Sequence, residues 1–432
     1  MATLDWKRVH HEATIVDLHV HPSMQQQLFA RNLNWRYVIN RTFHANPFSV
    51  RASFPRLRDG GYDAILSVMY VPEHGILKDF PIVRWFRYLR PDLWSKLVLS
   101  RPYDATRRIM QDMESAVAGS TTRDSVRMAG SVVELNAILS QPKGERPIAI
   151  MHAIEGAHSL GGPEATDEEV LYHLDELFDC GVSCITLAHF YPNRVVHPCY
   201  PFPEDIARLA ARPALWRDLT IGLTDLGKQV VERMIELGML IDVSHCTPTA
   251  RREIYDIIEA SGKHVPLLAT HVGAYAIDPS PYNLTDAEIR RIAAGGGVVG
   301  VIFMPYWLMP KESGQGINFI SRHIQYLVDT GGEDVVGIGT DFDGFTTPPD
   351  DLDNASQMPR LTQRLVVDGH SEARIKKVLG GNALRVIREQ GTQKPLLNNM
   401  QTRRELYDLL GYEGTVGGGG LAGSTEDEST NV

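Results

Sequence analysis

TIVDLHVH, residues 14–21, is a short apolar run that ends in two histidines at H-x-H spacing. Alternate residues of a strand face the same way, so Asp17, His19 and His21 are expected on one face and Val16, Leu18 and Val20 on the other. Similar runs recur outward along the chain at Ala64–Val71, Ile148–Ile154, Cys184–Phe190, Met239–His245, Leu267–Val272, Val298–Met304 and Val335–Thr340. With Thr14–Val20 these make eight. Several are apolar nearly throughout, as in a parallel sheet covered on both faces.

The segments between the runs carry helix signals. Thr285-Asp286-Ala287-Glu288 matches a capping box, and Gly295-Gly296-Gly297 closes that segment. Thr247-Pro248 sets a capping hydroxyl before a proline at the first helical position, with Gly262 beyond it. Val230, Met234 and Leu237 recur at helical spacing just before the run at 239. Strands alternating with helices predict the α/β class and a (β/α)8 TIM barrel. A doubly wound open sheet fits less well, because no G-x-G-x-x-G follows the first run. Two long connections, residues 72–146 and 191–222, read as insertions after the second and fourth strands, at the end where barrels keep their active-site loops. A single domain is expected over residues 1–414, followed by a disordered Gly-rich acidic tail at 415–432.

Composition narrows the class. The 432 residues are 43% hydrophobic and 22% charged, with 43 Lys and Arg against 53 Asp and Glu, a net charge of −10. That balance argues against a nucleic-acid partner, and no run approaches the ~18 apolar residues of a membrane span. The first residues carry no apolar signal region, which points to a cytoplasmic protein. Cys180, Cys184, Cys199 and Cys246 give one C-x3-C and no second pair, so free or buried thiols are expected rather than a zinc ribbon. The glycosylation triplets at Asn40, Asn283 and Asn354 then read as chance matches.

Six of the eight runs finish in His, Asp or Glu: His19 and His21, Glu155, His189, Asp242 with His245, His271, and Asp341 with Asp343. Unpaired buried charges would each cost on the order of several kcal/mol, and a metal centre offsets that cost. His19, His21, His245, His271 and Glu155 are the candidate ligands. Three histidines and a carboxylate suffice for one zinc; the full set is enough for two divalent cations ~3.5–4 Å apart with Glu155 bridging them. Asp341 is then placed to move a proton from a metal-activated water to a leaving group, and His189, not needed as a ligand, to bind the developing oxyanion. Such ligands without a redox motif favour hydrolysis.

At these strand ends the sequence resembles the renal (membrane) dipeptidase family, peptidase family M19 of the amidohydrolase superfamily. The resemblance runs from Thr14 to Ile387 through AIEGAHSL (153–160), ITLAHF (185–190), GLTDLGKQVVERMIELGMLIDVSH (222–245), ATHVGAYAI (269–277), GIGTDFDG (337–344) and GGNALRVI (380–387). It implies two Zn2+ bridged by Glu155, zinc histidines at His245 and His271, a substrate-contacting His189, an acid/base Asp341 and a homodimer. The implied activity is cleavage of a small dipeptide or dipeptide-like amide.

Two departures stand out. The family's H-x-D is here His19-Val20-His21, the H-x-H form seen elsewhere in the superfamily, and its carboxylate-gripping arginine aligns with Pro281-Tyr282. Tyr282 thus becomes a candidate substrate contact, one that cannot copy a guanidinium fork. An ester, lactone, lactam or modified amide without a free carboxylate is the alternative substrate, and a non-catalytic binding barrel the third reading. The basic aromatic stretch 79–102, DFPIVRWFRYLRPDLWSKLVLSRP, reads as a helix with snorkelling arginines, compatible with a lid. His197 and Cys199 read as loop residues rather than ligands.

Overall fold

The computed structural model describes residues 4–39, 49–73, 75, 85–89, 91–95, 100–120, 126–199, 218–308 and 316–392. The strands are β1 (Val16–Val20), β2 (Ala64–Tyr70), β3 (Val126–Met128), β4 (Ile148–Glu155), β5 (Val182–Thr186), β6 (Leu240–Asp242), β7 (Leu268–Val272), β8 (Val298–Val301) and β9 (Val336–Ile338). All ladders are parallel. The order runs from β2 through β1, β9, β8, β7, β6 and β5 to β4, and the pairing of β2 with β4 closes the ring. β3 stands outside it, joined to β4 alone. The fold is therefore a closed (β/α)8 barrel with one extra short strand.

Each barrel strand answers to one of the eight apolar runs, and the helix signals hold. Thr224 caps Asp225–Leu237, which stops at left-handed Gly238, and Thr247 caps Pro248–Ser261, which stops at left-handed Gly262. Thr285 and Glu288 form a reciprocal capping box on Asp286–Ala294. Between β2 and β4 the described chain forms helices at Pro102–Ala118 and Val132–Leu139 around β3.

Leu18, Leu66, Met151, Leu240, Leu268 and Val298 meet in one apolar cluster, joined by Leu135 and Ile138 and by Leu384 and Ile387 from the helix Asn382–Gln390. A larger cluster packs the strands' other faces against the surrounding helices. At ~1.5–3 kcal/mol per fully buried large apolar side chain, these layers fix the strands that carry the site.

Strict register fails in several ladders. The β1–β2 ladder shifts register between Asp17 and Val20, and the β7–β8 ladder between Ala269 and Val272. Asp17 therefore does not join His19 and His21; its carboxylate accepts from the backbone and hydroxyl of Thr340 and from the His19 N–H.

Among the described residues no helix is long and apolar enough to cross a membrane. None of the four cysteines forms a disulfide, and three of them are buried. Of the basic aromatic stretch, residues 79–84, 90 and 96–99 lie outside the described set, as does the 415–432 tail. Within the described part Trp85, Tyr88 and Leu89 are exposed, and the Arg87 guanidinium lies 4.5 Å from the Tyr88 ring centre.

Candidate metal centre

The C-terminal ends of the strands bring the candidate residues together. Glu155 is the last residue of β4 and His271 lies within β7; His19 is in β1 with His21 just beyond it; His189, His245 and Asp341 each stand three residues past β5, β6 and β9. All are buried. The Glu155 carboxylate is the hub. Its Oε1 lies 3.2 Å from His245 Nε2, 3.3 Å from His19 Nε2 and 3.4 Å from His271 Nε2. Its Oε2 lies 3.5 Å from His21 Nε2 and 3.6 Å from His189 Nε2. Asp341 Oδ1 is 3.2 Å from His21 Nε2.

The imidazoles also face one another. His19 and His21 bring their Nε2 atoms to 3.0 Å, and His245 and His271 bring theirs to 2.9 Å. Two such nitrogens can share at most one proton, so two pairs around one carboxylate leave several inward lone pairs without hydrogens to receive. Nitrogen and carboxylate donors converging this way fit zinc-type divalent cations. His19, His21 and Glu155 form one candidate triad, and Glu155, His189 and His245 another.

Electrostatics follow from burial and neighbours. Burial alone would raise the Glu155 carboxyl, but His189 and His19 beside it hold it well below the usual carboxylate range. Burial pushes His19 well down and His245 down to about 3, which disfavours their imidazolium forms. His189 goes the other way: against burial, Glu155 and Glu73 raise it. Asp341 is raised by burial, with His21 opposing.

Glu73 is the residue that sequence reading missed. It lies just past β2, where Val71-Pro72-Glu73 puts an acid after an apolar run, the same signal that marked the other strand ends. Its Oε2 takes the His189 Nδ1 hydrogen at 2.8 Å and the Tyr70 hydroxyl at 3.0 Å, and its Oε1 accepts the N–H groups of Phe190 and Tyr191. Tyr282 is also buried at the site, its ring 4.9 Å from that of His245, and its hydroxyl donates to the His271 carbonyl at 2.7 Å. The Cys199 N–H donates to the His245 carbonyl at 2.6 Å, and its thiol donates to the Cys246 carbonyl at 3.3 Å.

Two site residues are held in left-handed backbone, His245 at φ 64° and Asp341 at φ 56°. Gly344 closes the second turn: a Cβ there would fall 1.9 Å from Asp341 Oδ1 and 2.8 Å from His21 Cδ2.

With this geometry in place, comparison with known proteins is direct. The sequence pattern that defines "Membrane dipeptidase (Peptidase family M19)" matches residues 4–400. The chain belongs to the membrane dipeptidase family. A Klebsiella pneumoniae relative, described only as an uncharacterized protein in the pqqA 5' region, is 39% identical over 170 residues, 39% of this chain and 60% of that protein. An uncharacterized dipeptidase of Schizosaccharomyces pombe is 30% identical over 240 residues, 55% of this chain and 52% of its own length. The matches thus span about half to three-fifths of these curated relatives. A Rhodobacter sphaeroides metallo peptidase, solved with a phosphinate mimic of the dipeptide L-Ala-D-Ala, shares the fold at a TM-score of 0.66 and 20% identity, over 88% of this chain and 99% of that one. His21, the second histidine of His19-Val20-His21, contacts both Glu155 and Asp341.

Proposed function

We propose that the chain is a metal-dependent hydrolase that cleaves a small dipeptide or dipeptide-like amide. The observation that carries this reading is the gathering of five histidines and Asp341 around Glu155 at the mouth of a barrel of this family. His19, His21, His245 and His271 would hold two divalent cations, zinc by the character of the donors, with Glu155 between them. Bound there, the cations would supply Lewis acidity to a water and to the scissile carbonyl.

The chain's own groups do the rest. Asp341, raised by burial and beside His21, accepts the proton of the attacking water and delivers it to the leaving nitrogen. His189, raised by Glu155 and Glu73 against burial and with Nδ1 on Glu73, donates from Nε2 to the carbonyl oxygen as it gains charge. Tyr282 borders the same space and orients the substrate.

One observation favours a second reading of the substrate. In sequence Tyr282 aligns where the family resemblance expects an arginine, and its hydroxyl is already engaged by the His271 carbonyl. A substrate without a free carboxylate, such as a blocked or cyclic amide, an ester or a lactone, suits that arrangement. The test is metal content of the purified protein together with turnover of dipeptides beside their C-terminally blocked and cyclic analogues. Metal-dependent cleavage of the free dipeptides supports the first reading and preference for the blocked set the second. A fully metal-loaded sample that cleaves neither set ends both.

A further inference from the structure

We infer that Thr270 sets the tautomers of two cation-facing histidines at once and so couples the loading of the two cation positions. Its hydroxyl sits behind the imidazoles, with Oγ1 2.6 Å from Asp242 Oδ2, 3.0 Å from His19 Nδ1 and 2.8 Å from His271 Nδ1. A hydroxyl has one hydrogen to give and two lone pairs to receive with. Asp242 decides where the hydrogen goes. Its Oδ2 receives the Thr270 and Thr186 hydroxyls, the latter at 2.5 Å, and its Oδ1 receives the Thr270 N–H at 2.9 Å, the Ser244 N–H at 3.0 Å and the Ser244 hydroxyl at 2.8 Å. Five donors aimed at two oxygens require an acceptor-only carboxylate, so the Thr270 hydrogen points to Asp242. Ser244 Oγ lies 3.5 Å from Thr270 Oγ1 but sends its own hydrogen to Asp242, and so does not compete.

Both Thr270 lone pairs then face ring nitrogens, and His19 and His271 must each carry hydrogen on Nδ1. In the neutral rings each Nε2 is then a bare lone pair aimed into the mouth, the form a cation needs. The two rings belong to different Nε2 pairs, His19 with His21 and His271 with His245. One hydroxyl therefore stands behind a donor of each pair. His21 has no such backing: its Nδ1 is buried with no hydrogen-bond partner among the described residues. The inference rests on the cation-binding reading above, and Thr270 acts as a positioning residue, through the histidines rather than on substrate.

The test is titration of the chelator-stripped full chain with Zn2+, read as stoichiometry and affinity by competition with a chromophoric chelator. Wild type is expected to take two equivalents, and Thr270→Val to weaken both by about 10–100-fold, the usual effect of removing such a backing group. Thr270→Ser keeps the hydroxyl and should restore both affinities. Thr186→Val removes another hydrogen bond to Asp242 that touches no imidazole, and should bind like wild type. Thr270→Val binding like wild type, weakening one equivalent alone, or being matched by Thr186→Val overturns the inference, as does a wild type that takes a single equivalent. A wild type that takes no Zn2+ removes the cation reading itself, and this inference with it.

Discussion

The two ends of the barrel bury carboxylates in opposite ways. Asp63 precedes β2 at the closed end, and its oxygens receive Lys143 Nζ at 2.9 Å, Arg146 Nη2 at 2.7 Å and the Ile15 N–H at 2.8 Å. Two basic side chains and a backbone donor offset one acid. At the open end the ion-pair partners of Glu155 among the described residues are imidazoles alone. Burying charge without a fixed partner costs on the order of several kcal/mol; the closed end carries its countercharge in the sequence, and the open end, as proposed above, would receive one. A structural ion pair and a ligand site are told apart by that difference.

Breaking the open end should have the largest effect. Glu155→Gln removes the shared charge and turns one acceptor oxygen into a donor, and the protein is expected to lose bound metal and to fall to background turnover; a variant that still purifies with wild-type metal content would contradict the hub role. Asp341→Asn keeps the histidines and should retain metal while turnover drops by about 10²–10⁴, the range for a general acid/base. Equal turnover in the two proteins would dismiss Asp341 from proton transfer. At the closed end the outcome should invert. Asp63→Asn is expected to lower stability by about 3–5 kcal/mol, as when one member of a buried pair is removed, with kcat of the folded protein unchanged. Denaturant unfolding and steady-state kinetics on one sample separate these two effects.

The smallest effect sharpens the contrast through a histidine away from the mouth. His10 is buried, with Nε2 on the Gly60 carbonyl and Nδ1 on the Thr362 hydroxyl, so both nitrogens have ordinary partners. Burial lowers it to about 4 from an ordinary value of 6.5. The unfolded chain therefore takes up a proton before the folded one does, and stability is lost as pH falls from 6.5 towards 4. His10→Gln should flatten that part of the acid limb. Identical pH dependence of the urea midpoint in variant and wild type would show that His10 contributes nothing to it.

Much of this was legible in the sequence. Eight apolar runs gave eight strands because both faces of a parallel barrel are covered and its strands must be apolar throughout. The ladders are shorter than the runs: Met239–His245 pairs only over Leu240–Asp242, because the chain leaves the sheet to reach a left-handed His245. β3 escaped notice because three residues make no pattern. Ligand-type residues at strand ends were visible one by one. What holds them was not: Thr270 behind two histidines, Glu73 behind His189 and Asp17 turned to Thr340 are contacts across neighbouring strands or loops, set by register shifts and side-chain direction rather than by spacing along the chain.

The left-handed backbone at His245 and Asp341 carries a consequence for selection. Such a conformation costs a residue other than glycine about 1–2 kcal/mol, and glycine at either place would relieve it. Heat tolerance alone would thus reward glycine at both positions, and every such gain would erase a candidate metal donor or the proposed proton carrier. Directed evolution for thermostability without an activity screen should drift there first, leaving a sturdier and inert barrel.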